Sequence, residues 1–204
     1  MKIDIRKIAI SCGGWLFKFR SYTPIPITLV LLFCFSGEVE NHILTWSCGP
    51  LLLMCGEGLR FWSLRYIGKF SRTRKKKGRM LVRDGPYLFM RNPLYAGNLL
   101  IWTSFAVMGE LAWLMPLVII LFFVQYQCIV LWEEECLREF FPSDAEDYFR
   151  KVPRWVPRWR GIRNIPRPIR FPDYSWINVL ERERGTLQGL VLGCIAMILK
   201  EVLT

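Results

Sequence analysis

The chain has 204 residues, is 52% hydrophobic and 15% aromatic, and carries a formal net charge of +11 with a mean hydropathy of +0.24. So much apolar content excludes a disordered chain and argues against a soluble nucleic-acid-binding protein, whatever the basic excess suggests. Length alone allows one domain or two, and the charges are sorted away from the apolar runs.

Residues 8–17 come first, a short apolar stretch broken by Gly13 and Gly14 and followed by Lys18 and Arg20. It lacks a convincing cleavable-signal pattern and predicts an interfacial helix. Five uncharged stretches follow, at 21–37, 41–56, 92–109, 111–132 and 185–199. A bilayer core takes about 20 apolar residues, within a range of roughly 17–25. Only 111–132 meets this outright. The others reach it if a flanking residue snorkels or a polar side chain faces the interior. Soluble core helices are rarely uncharged for so long, which argues against a soluble bundle. Pro24 and Pro26 suit the start of a span, where missing N–H groups cost little. The expectation is an all-α integral membrane protein of one domain, 1–204. Its spans fall near 22–38, 42–64, 93–109, 112–132 and 186–203, and its cytoplasmic segments at 1–21, 65–92 and 133–185.

The basic residues give the orientation. Of 28 Lys and Arg, all but Arg60 and Lys200 fall in segments on alternate sides of these spans. That is the positive-inside pattern, with the N-terminus and the site cytoplasmic, in a bacterial inner membrane or the endoplasmic reticulum. The charge then implies anionic headgroups as partners and no nucleic acid. The seven cysteines form no C-x-x-C pair and read as small apolar residues. His42 is the only histidine, so multi-histidine metal sites are excluded and no metal is expected.

Within the second span, Glu57 and Arg60 stand at i, i+3, as a structural ion pair or a substrate contact. The basic run at 72–77 reads as a headgroup-binding patch. Beyond it, Gly85-Pro86 makes a turn ahead of Tyr87. Asn92 as N-cap and Pro93 at the first helical position open the third span. Capping does not explain Tyr95, Asn98 and Trp102, a polar and aromatic stripe at i, i+3, i+7. Such a stripe wants a polar partner or a ligand. Arg91 and the exposed N–H groups of the helix start favour a carboxylate or phosphate. The fourth span ends in Glu133-Glu134-Glu135, with Tyr126 and Gln127 on roughly the same face as Glu134. Almost no loop separates the third and fourth spans, so they form a hairpin with Arg91 and Glu133–Glu134 at one end. One pocket for a ligand with a carboxylate, a ribose and a positive centre follows, and S-adenosylmethionine has those features.

Ser143-x-x-Glu146 predicts a capping box and a short helix running to about Val152. Phe140, Phe141, Tyr148 and Phe149 would supply its contact surface. The stretch Val152-Pro153-Arg154-Trp155-Val156-Pro157-Arg158-Trp159 suits a membrane interface. In the last span, Gly185, Gly189 and Gly193 are spaced four apart. This spacing allows close packing within the chain or a homodimer.

These residues carry a resemblance. Gly85-Pro86-Tyr87, Arg91-Asn92-Pro93-Leu94-Tyr95-Ala96-Gly97, Glu133-Glu134-Glu135-Cys136-Leu137, Tyr148 and Val152-Pro153 resemble the pattern of the isoprenylcysteine carboxyl methyltransferase and phospholipid methyltransferase group of integral-membrane enzymes. Asn92 stands where eukaryotic members have His; it can hydrogen-bond but cannot titrate near neutral pH. The resemblance implies an S-adenosylmethionine pocket lined by Arg91, Asn92, Tyr95, Gly97, Glu133 and Glu134. Tyr87, Pro93 and Asn98 join that candidate set, with Trp102, Tyr126, Glu57 and Arg60 as candidate acceptor contacts. Arg91 and Glu134 are the expected catalytic pair, Arg91 facing an anion and the glutamates offsetting the sulfonium. Gly97 would allow close backbone approach. The implied reaction is in-line methyl transfer to a lipophilic acceptor, such as a prenylcysteine carboxylate, a lipid amine or a small thiol. The alternatives are an NADPH-dependent sterol- or enone-type membrane reductase and a non-enzymatic headgroup-binding scaffold.

Overall fold

The computed structural model describes residues 4–34, 42–68, 81–158 and 174–203, and among them it is helical with no strand. The basic run at 72–77 and residues 159–173 lie outside the described residues. The described residues form, in order, the α-helices α1 Ile5–Phe19, α2 Pro24–Phe33, α3 His42–Ile67, α4 Pro93–Met108, α5 Met115–Phe140, α6 Pro142–Lys151 and α7 Trp176–Leu203. Short 3-10 turns occupy Gly85–Leu88 and Ala112–Leu114.

Among the described residues, two helices are long and apolar enough to cross a membrane, in the ranges Met115–Phe140 and Trp176–Val202. The pair Arg6–Phe19 and Pro24–Phe33 makes a third only if taken as one span bent by 62°. The 16 residues of α4 rise only ~24 Å, short of a ~30 Å hydrocarbon core. The 26 residues of α3 carry Glu57, Arg60 and Arg65, which break up its apolar character. The fourth apolar stretch does not end as a helix at Trp132. α5 runs on to Phe140, so Glu133–Glu135 are helical residues on a continuing surface. Outward-facing Leu117, Ile120 and Val124 of α5 and Leu192, Ile195 and Val202 of α7 are exposed apolar side chains. Such belts are satisfied in lipid and not in water.

The stretch at 8–17 lies within α1, which Asp4 caps by accepting from the Lys7 amide at 3.4 Å. α1 packs on α5 where Gly13 sits so close that an added Cβ would lie 2.1 Å from the Cys128 carbonyl oxygen. The expected hairpin of α4 and α5 is present. Its turn holds Glu110 in a left-handed conformation, φ 58°, and buries Leu111 completely. The Thr45 hydroxyl donates to Glu110 at 2.8 Å and ties the turn to α3. One apolar core lies at this end, around Leu31, Met108, Leu111, Val118 and Met197. A second, around Phe17, Tyr95, Phe122, Tyr126 and Ile129, leads toward the other end.

α3 and α4 cross closely because both are glycine at the crossing. A Cβ on Gly97 would lie 2.7 Å from the Gly56 carbonyl oxygen and 2.7 Å from Arg60 Cγ. This contact fixes Arg60 against α4.

Candidate functional site

The candidate residues fall in two neighbouring places. The first is a charged hub at the end of the hairpin. Glu134 is buried at 4% exposure. It accepts from Arg91 Nη1 at 2.7 Å and from Arg154 Nε and Nη2 at 2.8 and 2.7 Å. Arg138, one turn along α5, lies 4.0 Å away and pairs more closely with Glu146 of α6, at 2.6 Å. The Phe149 ring sits between Arg91 and Arg138, 4.8 and 5.0 Å from their guanidinium carbons. Burial pulls Arg91 below its ordinary pKa, which Glu134 partly offsets. The hydrogen bonds to Glu134 push Arg154 up.

The loop bearing Arg91 is held by main-chain bonds. The Arg91 amide donates to the Pro153 carbonyl at 2.8 Å, and the Arg158 amide to Phe89 at 2.9 Å. The Tyr148 hydroxyl donates to the Tyr87 carbonyl at 2.7 Å. Burial raises the pKa of both tyrosines, so both stay neutral. Asn92 is the N-cap residue of α4, as expected, but its side chain makes no capping bond. It donates instead to the Arg154 carbonyl at 3.1 Å. Pro93 is buried in the first turn. The capping box on α6 does not form: that helix starts at Pro142 without a side-chain cap, and Glu146 turns to Arg138 instead. Among the described residues, Arg91 Nε and the Tyr87 hydroxyl are buried without a hydrogen-bond partner.

The second place is a cavity of about 600 Å3 between α2, α3, α4, α5 and α7. Its size suits a small molecule, for which roughly 300–1,000 Å3 is usual. Tyr95, Asn98 and Trp102, the stripe on α4, line it together with Tyr126 and Arg60. Asn98 donates to the Tyr126 hydroxyl at 2.9 Å. Arg60 bonds Glu57 at 3.1 Å and also reaches Asn98, Glu183 and Thr186. Glu57 stands behind Arg60, with Oε1 buried and unpartnered. Trp102 packs edge-on against Phe122, 5.4 Å between ring centres. Tyr95 joins the two places: it lines the cavity, and its hydroxyl donates to Glu133 at 3.0 Å.

Gly97 faces Gly56 and Arg60, so the close approach it permits is helix to helix. Gly185 and Gly189 line the cavity, whereas Gly193 packs against Phe105, with 2.8 Å left for a Cβ.

Comparison with protein families finds a match over the middle of the chain. Residues 44–144 match the phospholipid methyltransferase family. No curated protein and no solved structure matches the chain. The family match implies a methyltransferase, and the long apolar helices are of the kind that cross a membrane. The matched segment contains every candidate catalytic, cofactor and acceptor residue read from the sequence, but not Tyr148, Val152-Pro153 or the glycines of the last span. The phospholipid methyltransferase segment does not contain Arg154 or Glu183, which complete the hub and the Arg60 network from outside it. Sequence reading missed both. Arg154 follows directly on the Val152-Pro153 element, the one signal that it belonged with the motif. Glu183 gave none, because its partner Arg60 lies 123 positions away.

Proposed function

We propose that the protein transfers a methyl group from S-adenosylmethionine to a lipophilic acceptor that reaches the site from the bilayer. The carrying observation is Tyr95, which links the Glu133 end of the family motif to an amphipathic cavity. The donor set fits the cofactor. Arg91 Nε and the Tyr87 hydroxyl are unspent buried donors near the start of α4, suited to an anion. Glu133 and the faces of Tyr95 and Tyr126 suit a positive centre. When bound, S-adenosylmethionine supplies an electrophilic methyl group. Glu133 offsets the positive charge, Arg91 and the first turn of α4 orient the anionic end, and Glu134 holds Arg91 in place. Asn98, Tyr126, Trp102 and Arg60 receive the acceptor. Five crossings with a cytoplasmic N-terminus would put the site at the cytoplasmic face, where the positive-inside pattern directs it.

The test is binding in detergent. S-adenosylhomocysteine and S-adenosylmethionine should bind by calorimetry, and NADPH should not. Glu133→Gln and Tyr95→Phe should weaken binding by roughly tenfold, about 1.4 kcal/mol, with thermal stability nearly unchanged. Binding of NADPH alone would favour a reductase, and binding of none of the three would leave the headgroup-binding scaffold.

A further inference from the structure

We propose that one hydrocarbon chain of the acceptor lies in the cavity along α7, and that Gly185 and Gly189 set the bulk of chain it admits. The word acceptor rests on the methyl-transfer reading; the chain slot itself does not. The cavity has two kinds of wall. Arg60, Glu183, Asn98 and Tyr126 make one end polar, and they are bonded to one another or to neighbours. The other walls are apolar: Ile27 and Leu31 of α2, Ile101 and Phe105 of α4, and Leu190 of α7.

The slot is widest where α7 presents glycine, between the side chains of Glu183, Thr186 and Leu190. A Cβ added at Gly185 or Gly189 would meet nothing within 4 Å. One turn on, a Cβ at Gly193 would lie 2.8 Å from the Phe105 ring. The slot is therefore open along two glycines and closed at the third. Apolar space of this kind does not hold water well, because water there finds too few polar partners. A chain drawn from the bilayer fills it, with its head at Asn98 and Tyr126 beside Tyr95. Lys18 and Arg20 add positive charge to the lining beyond the Arg60–Glu183 pair, so a carboxylate-headed chain is the suitable probe.

Palmitic acid carrying a diazirine at its chain end is photo-crosslinked to the full-length protein in detergent, and the adducts are mapped by peptide mass spectrometry. Adducts are expected on Ile27 and Leu190. They should fall roughly tenfold in a Gly185→Leu/Gly189→Leu variant. That variant should fold normally, since its new side chains enter open space and glycine is a poor helix residue. S-adenosylhomocysteine binding should be unchanged in it. Adducts at the wild-type level in the variant would overturn the proposal. So would wild-type labelling confined to the exposed residues Val191 and Leu192, which would report ordinary bilayer contact. Slot labelling without S-adenosylhomocysteine binding in the wild type would keep the chain slot and remove the methyl-transfer reading.

Discussion

Glu134→Gln should destabilise the protein far more than its neighbour Glu135→Gln. The Glu134 side chain is 5% exposed and faces Arg91 at 2.7 Å and Arg154 at 2.7 Å. Glutamine keeps the shape but offers one oxygen in place of two and turns an N–H2 toward guanidinium donors. Two or three arginines then keep their charge without a counter-charge. Removing one partner of a buried pair costs about 3–5 kcal/mol. The remaining amide oxygen and the partial exposure of Arg154, 33%, place this case near ~3 kcal/mol. For a chain of this length that is roughly 6–12 °C in Tm. Glu135 is 43% exposed and has one contact of 3.4 Å, to Arg138. Its loss should cost about 0–1 kcal/mol. Thermal unfolding in detergent, read by tryptophan fluorescence, gives both numbers. Hydrogen exchange adds the location: the Arg91 and Arg158 amides should lose protection in Glu134→Gln. Equal Tm shifts for the two variants, with those amides still protected, would refute the hub.

Two further outcomes follow from packing and charge. Gly97→Ala should separate α3 from α4 and displace Arg60, since the new methyl would lie 2.7 Å from the Gly56 carbonyl oxygen. The cost should be about 1–3 kcal/mol, and a wild-type Tm would contradict the close crossing. Docking of α6 should weaken in acid: Arg138 holds the Glu146 carboxyl below its ordinary pKa, and Lys151 does the same for Asp147. A depressed folded pKa gives stability that is present above the unfolded value, about 4.3 for Glu, and lost as pH falls through the folded value. Hydrogen exchange of the α6 peptide followed downward from about pH 6 should show this. Glu146→Gln should have a flatter profile, and an unchanged one would remove the pair from the account.

What was legible in the sequence is what local spacing encodes. Asn92-Pro93 marked the start of α4, and a near-absent loop marked its hairpin with α5. The i, i+3, i+7 stripe of Tyr95, Asn98 and Trp102 does converge on one cavity. The Glu57–Arg60 pair forms as its spacing required. Where local signals misled, a tertiary partner had won. Asn92 and Glu146 carry capping chemistry, but each finds an alternative bond: Asn92 to the Arg154 carbonyl, and Glu146 to the Arg138 guanidinium. A charge-assisted bond is stronger than a neutral cap, which accounts for Glu146. Helix ends were the least legible, because uncharged stretches locate apolar residues but not where a helix stops. α5 runs past Trp132 for this reason: glutamate is a good helix former and does not stop the helix.

The two places divide the work along the chain's own chemistry. Glu134 is closed on all sides by arginines, so its carboxylate serves the loops that bear Arg91, Asn92 and Tyr87. Glu133, one residue earlier, points about 100° around the helix and meets Tyr95 instead. Consecutive glutamates thus cannot share one role: one is turned into the charged hub, the other toward the cavity. The same division separates Arg91 from Arg60. Arg91 keeps Nε buried and unspent, while Arg60 spends its donors on Glu57, Asn98, Glu183 and Thr186. In the proposed reaction Arg91 would supply a donor to the ligand, and the cavity a shaped, amphipathic wall. Tyr95 lies between the two, and a bound methyl donor and its acceptor would have to meet there.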